Sequence, residues 1–132
     1  MKWIDKLAWI EIQNQSVLST KSYGKDKYYI PGGKRENGEL DEAALYREIK
    51  EELSIDLKKD TLQLVGVFEA HAHGHPPDTF VRMTCYQAGY TGTLKANAEI
   101  EEIKWMNYSD KDIISEVDQL IFDFLKERGF LR

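Results

Sequence analysis

"GGKRENGELDEAALYREIKEEL", residues 32–53, packs Glu39, Asp41, Glu42, Glu48, Glu51 and Glu52 into one short stretch against Lys34, Arg35, Arg47 and Lys50. From about Leu40 or Asp41 to Leu53 its apolar residues recur at helical spacing, and Asp41 and Glu42 fall near the start, where the helix dipole favours negative charge. With Glu48 at zero on a helical wheel, Glu52 lies near 40° and Glu51 near -60°, at about 100° per residue. Leu45, Ile49 and Leu53 centre roughly 100° away. One flank is therefore expected to pack on a sheet while the acidic flank borders a cleft, with the small Ala44 leaving room beside it.

Like charges three or four residues apart repel, so three glutamates on one stripe need a reason. A solvated face stapled by Arg47 to Glu51 supplies one, worth only ~0 to 1 kcal/mol. A divalent cation supplies a stronger one. Hard ions such as Mg²⁺ take oxygen ligands and combine a few carboxylates with waters and substrate phosphates.

Outward from this helix, residues 7–12 and 16–20 read as strands around a turn at Gln13 to Gln15. KYYI at 27–30 reads as a short strand that Pro31, Gly32 and Gly33 stop. Beyond the helix, 62–71 and 79–90 alternate as long strands joined by HAHGHPPD, and 102–108 reads as another. Ser109, with Asp112 three residues on, resembles the N-cap of a terminal helix whose Ile113, Val117, Leu120, Ile121 and Phe124 share one side. Strands on both sides of a helix, and a helix at the end, predict a mixed sheet covered by helices.

The 132 residues, 42% hydrophobic and 31% charged, suit one globular domain spanning 1–132. The net charge of -5 argues against tight binding to duplex nucleic acid, which draws its affinity from Lys and Arg. No segment has the apolar length of a membrane span and the first residues show no signal-peptide core, so no membrane partner and a cytoplasmic location are expected. The lone Cys85 agrees with a reducing compartment and, inside VRMTCY, reads as packing. There is no GxxxxGK[ST] loop and no motif for a serine triad.

The acidic stretch also carries a longer pattern: Gly33, Glu39, then Arg47-Glu48-Ile49, Glu51-Glu52, Ser54 and Ile55, preceded by Pro31-Gly32. It resembles the signature of the Nudix hydrolases, a glycine, a glutamate, then Arg-Glu-aliphatic-x-Glu-Glu-x-Gly-aliphatic, in eight of nine specified positions over 23 residues. The departure is Ser54, where the family has glycine; that position suits a left-handed turn, so the change concerns backbone geometry and no metal oxygen.

The resemblance implies an α/β fold, a Nudix-type α/β/α sandwich with a central mixed sheet. It also implies a Mg²⁺-dependent, or Mn²⁺-dependent, pyrophosphohydrolase acting on a small nucleotide, such as an ordinary or oxidised nucleoside triphosphate in a MutT-like role. ADP-ribose or nucleotide sugars are the alternative substrates, and a nucleotide-binding module without turnover is the alternative class. By the same resemblance Glu48, Glu51 and Glu52 are metal ligands, with the Gly33 carbonyl as a possible fourth. Arg47 and Glu39 would orient those carboxylates. Lys34, Arg82 and Glu39 are candidates for substrate contact, and of the acids Glu99, Glu101 and Glu102, Glu102 is preferred as the extra catalytic acid because it shortly precedes Trp105. Tyr28, Tyr29, Phe80 and Trp105 could stack on a base, although aromatics in alternating strands are more often core. His71, His73 and His75 share a face only in extended chain, which Gly74, Pro76 and Pro77 interrupt, so they read as loop or substrate-contact residues more readily than as a zinc site.

Overall fold

The computed structural model describes residues 1–132. In chain order the elements are β1 (Lys2–Trp9), β2 (Ile12–Gln13), β3 (Ser16–Ser22), β4 (Gly32–Lys34), α1 (Asp41–Leu53), β5 (Asp56–Leu57), β6 (Gln63–His71), β7 (Thr79–Gln87), β8 (Tyr90–Thr91), β9 (Ile100–Met106) and α2 (Glu116–Glu127). A four-stranded sheet runs β4-β1-β7-β6 and is mixed: β1 and β7 are parallel, whereas β4 and β6 pair antiparallel at its edges. The order β2-β3-β9 forms a second, antiparallel sheet, and β5 pairs with β8.

Successive strand residues point to opposite faces, and this period of two builds a core on each side. Leu7, Trp9 and Leu18 meet Leu45, Ile49 and Leu53 of α1. Ala8, Ile10, Val17, Val81, Met83 and Cys85 meet Val117, Ile121, Phe122 and Leu125 of α2. The helices thus sandwich the strands as expected, each fully buried Leu or Ile contributing roughly 1.5 to 3 kcal/mol. Cys85 is a packing residue, and burial pushes its thiol pKa up. Ala44 is also wholly buried in the α1 core, so it lines no cleft.

Two expected elements differ. Tyr28 and Tyr29 make only single bridges, to Ile114 and Thr20, and the strand forms instead at Gly32–Lys34, in register with β1 as Lys6 with Lys34, Leu7 with Gly33 and Ala8 with Gly32. Glycine permits this pairing: a Cβ on Gly32 would lie 2.0 Å from the Leu7 carbonyl oxygen. The terminal helix starts after Ser115 and not after Ser109. Asn107 caps a short 3-10 turn over Tyr108–Ile113, accepting from the Ser109 N–H at 3.0 Å, while Ser115 Oγ accepts the Asp118 N–H of α2 at 3.4 Å. Ser109 and Ser115 are each followed three residues later by aspartate, and Asn107 claims the first of the two turns. Leu120, expected on the apolar side, is exposed.

Candidate active site

Helix α1 ends at Ser54, whose φ of 60° and ψ of 31° are left-handed; its N–H donates to Lys50 O at 3.1 Å. The backbone geometry that glycine serves is thus kept by a serine. Ahead of this cap, Glu48 and Glu52 project toward β4. Glycine at 33 leaves room for the Glu48 carboxylate, since a Cβ there would stand 2.4 Å from its carboxyl carbon and push that side chain aside. The Gly32 N–H donates to Glu52 Oε1 at 3.1 Å, and Glu52 is only 5% exposed.

A third acid arrives from far along the chain. The last carbonyls of α1 need partners outside the helix. Lys95 N–H donates to Leu53 O at 3.0 Å and Asn97 N–H to Glu52 O at 2.9 Å, which ties residues 95–97 to the end of α1. Ala98 then takes a positive φ of 50°, and the exposed Glu99 comes to lie beside the two helix acids, its carbonyl accepting from the Tyr23 N–H at 2.9 Å. Carboxylate oxygens of Glu48, Glu52 and Glu99 all lie within 4.8 Å of one another. Burial, with Glu99 alongside, pushes the Glu52 pKa up to about 9, and burial also raises Glu48 despite its bond to Arg47. Such crowding is unfavourable without a cation and suited to one: three hard oxygen donors converge.

Arg47 holds the arrangement from behind. Its Nε and Nη2 grip both oxygens of Glu39 at 2.9 and 2.8 Å, its Nη1 donates to Glu48 Oε1 at 2.9 Å, and Nη2 reaches Lys34 O at 3.2 Å. The planar fork therefore joins the loop, β4 and α1 through one side chain. The guanidinium holds Glu39 well below the usual carboxylate range, at about 2.

The three acids occupy one end of a cavity of about 350 Å³. Gly33, Lys34, Tyr29, His73 and His75 also line it. Six expected residues do not belong to it. Glu51 points to solvent with 54% of its side chain exposed, because the 100° between neighbours on the wheel turns Glu52 toward the apolar flank and Glu51 away. Glu102 lies on β9 opposite Lys21 and accepts from the Tyr28 hydroxyl, so Glu99 takes the place expected for Glu102. Arg82 and Phe80 alternate with Val81 and Met83 on β7 and face away from the cavity, Arg82 pairing with Glu69 across the sheet. Trp105 lies outside it too, as does His71, whose Nε2 is bonded to Pro76 O at 3.1 Å. The sequence signal for Glu99 is its place at the end of the turn-rich GYTGTLKANAE, three residues ahead of Glu102.

A layered mixed sheet thus carries a carboxylate-lined cavity beside α1, an α/β architecture. Residues 7–123 match the NUDIX domain model, and the chain belongs to the Nudix family. No curated protein matches it in sequence. The solution structure of the E. coli ORF135 protein is similar at a TM-score of 0.75 and 23% identity, covering 98% of this chain and 93% of that one. The MutT NUDIX hydrolase from Burkholderia pseudomallei is similar at 0.74 and 19%, covering 93% and 98%. A UDP-X diphosphatase is similar at 0.73 and 17%, covering 98% of this chain and 64% of the other. These identities speak for the fold.

Proposed function

We propose that residues 1–132 form one domain, working in the cytoplasm, that hydrolyses the pyrophosphate linkage of a small nucleotide such as a nucleoside triphosphate, with Mg²⁺ or Mn²⁺ as cofactor. The observation that carries this is the convergence of Glu48, Glu52 and Glu99 at one end of a cavity large enough for a nucleotide. These side chains, with the neighbouring Gly33 carbonyl, would hold the ion. When bound, it neutralises phosphoryl charge and lowers the pKa of water. Arg47, itself fixed by Glu39, keeps Glu48 aimed at that end, a positioning role. Lys34, beside it on the cavity wall, supplies positive charge for phosphate oxygens. Water attacks one phosphorus of the bridge, a new P–O bond forms, and the bond to the leaving phosphate oxygen breaks.

A panel of nucleoside triphosphates, ADP-ribose and sugar nucleotides, followed by phosphate or pyrophosphate release with Mg²⁺, tests the reading. Turnover of a triphosphate is expected, abolished by chelator and lowered roughly a hundredfold or more in Glu52→Gln. Binding without hydrolysis across the whole panel would make the protein a nucleotide-binding module instead. The similarity to a UDP-X diphosphatase supports, as the second reading, a nucleoside diphosphate linked to another group, and the same panel separates the two.

A further inference from the structure

At the middle of β1, Lys6 sits opposite Lys34 on β4 and Met83 on β7. Strand alternation puts it on the face of Ile4 and Ala8, and Ile4, Val81, Met83, Ala72 and Val117 give this end of the cavity an apolar wall. An ammonium among such neighbours is costly unless paired. Lys6 has no hydrogen-bond or ion-pair partner in the protein; its Nζ stands 5.5 Å from the centre of the Tyr29 ring, and burial lowers its pKa. The Tyr29 ring, itself part of the cavity wall, is thus the group its head faces, with Ile4, Val81 and Met83 beside it.

The missing partner belongs to a ligand, and the surroundings define its chemistry. An apolar wall and the face of Tyr29 suit a flat heteroaromatic ring. A phosphate there would need its negative oxygens desolvated against Ile4, Val81 and Met83, whereas a neutral ring carbonyl costs less to desolvate and accepts one of the three ammonium N–H donors. We propose that Lys6 is a specificity-determining residue whose Nζ donates a hydrogen bond to a ring carbonyl of the nucleobase. The enzyme would then favour guanine, hypoxanthine and the pyrimidines over adenine, which has no carbonyl. This rests on the nucleotide reading above.

Inosine and adenosine triphosphates form a matched pair, differing only at the carbonyl edge. In the unmodified protein with Mg²⁺, kcat/KM for ITP should exceed that for ATP by about 10- to 100-fold, the range of a hydrogen bond to a charged donor. Lys6→Met, which suits the apolar wall, should collapse the ratio to about threefold or less by raising KM for ITP with little change in kcat, the signature of lost binding. Its melting temperature should hold or rise, because an unpaired ammonium is removed. Lys6→Arg, which keeps a donor, should retain part of the preference. Equal use of ITP and ATP by the unmodified protein, or a Lys6→Met variant that keeps the preference, would overturn the assignment of Lys6 alone. Absence of turnover for every nucleotide would overturn the hydrolase reading and this inference with it.

Discussion

Ser54 carries a conformational cost that glycine avoids: a side chain in the left-handed region is disfavoured by roughly 1 to 2 kcal/mol. Ser54→Gly should therefore raise unfolding free energy by about 1 kcal/mol, less the small entropy lost to a freer unfolded chain. Urea denaturation reads this, and a destabilised variant would show that the serine makes some compensating bond. Arg47 offers the opposite case. Lysine keeps the charge but cannot grip Glu39 with two nitrogens while bonding Glu48 and the Lys34 carbonyl. Arg47→Lys should weaken Mg²⁺ affinity by about 10- to 100-fold, measured by calorimetric titration. Unchanged affinity would mean that Glu48 needs no such support.

At the scale of elements, α2 brings one buried acid to the back of the strands. Asp118 has no exposure; one carboxylate oxygen accepts from the Ile30 N–H at 3.1 Å and the other has no partner. Burial pushes its pKa up to about 7, with Ser115, Ile30 and the charge of Lys6 pulling weakly the other way. The folded protein therefore keeps a proton that the unfolded chain releases near the ordinary carboxylate value of about 4. Stability is highest below that value and falls as pH rises toward 7, by on the order of a few kcal/mol, then levels. Asp118→Asn keeps an acceptor for Ile30 and removes the titration. Denaturant unfolding of both proteins at pH 4.5, 7 and 8.5 should show the variant gaining on the wild type up to about pH 7; a gap that does not change with pH would rule this out.

Taken as a whole molecule, what sequence spacing revealed was local. Helix α1, its acidic stripe and the left-handed position 54 all depend on residues within one turn of each other, so periodicity exposed them. The position of β4 depended on how closely Gly32 approaches Leu7, a contact made by distant parts of the chain, and the pattern KYYI pointed to the wrong residues. Glu99 and Glu102 looked alike in an acidic run; which one faces Glu52 was settled by the bonds from Lys95 and Asn97 to the end of α1 and by the turn at Ala98. Arg82 stands between Val81 and Met83, yet strand alternation sends it outward to Glu69, while the helix directs Arg47 onto Glu48.

The cation site proposed at Glu48, Glu52 and Glu99 is the feature on which the proposed function turns. Anomalous diffraction from crystals soaked in Mn²⁺ with a non-hydrolysable nucleotide would locate it. A manganese peak in contact with all three carboxylates, and clear of Glu51 and Glu102, is the expected outcome. Manganese held by Glu51 or Glu102 instead, or no peak at the end of α1, would contradict it.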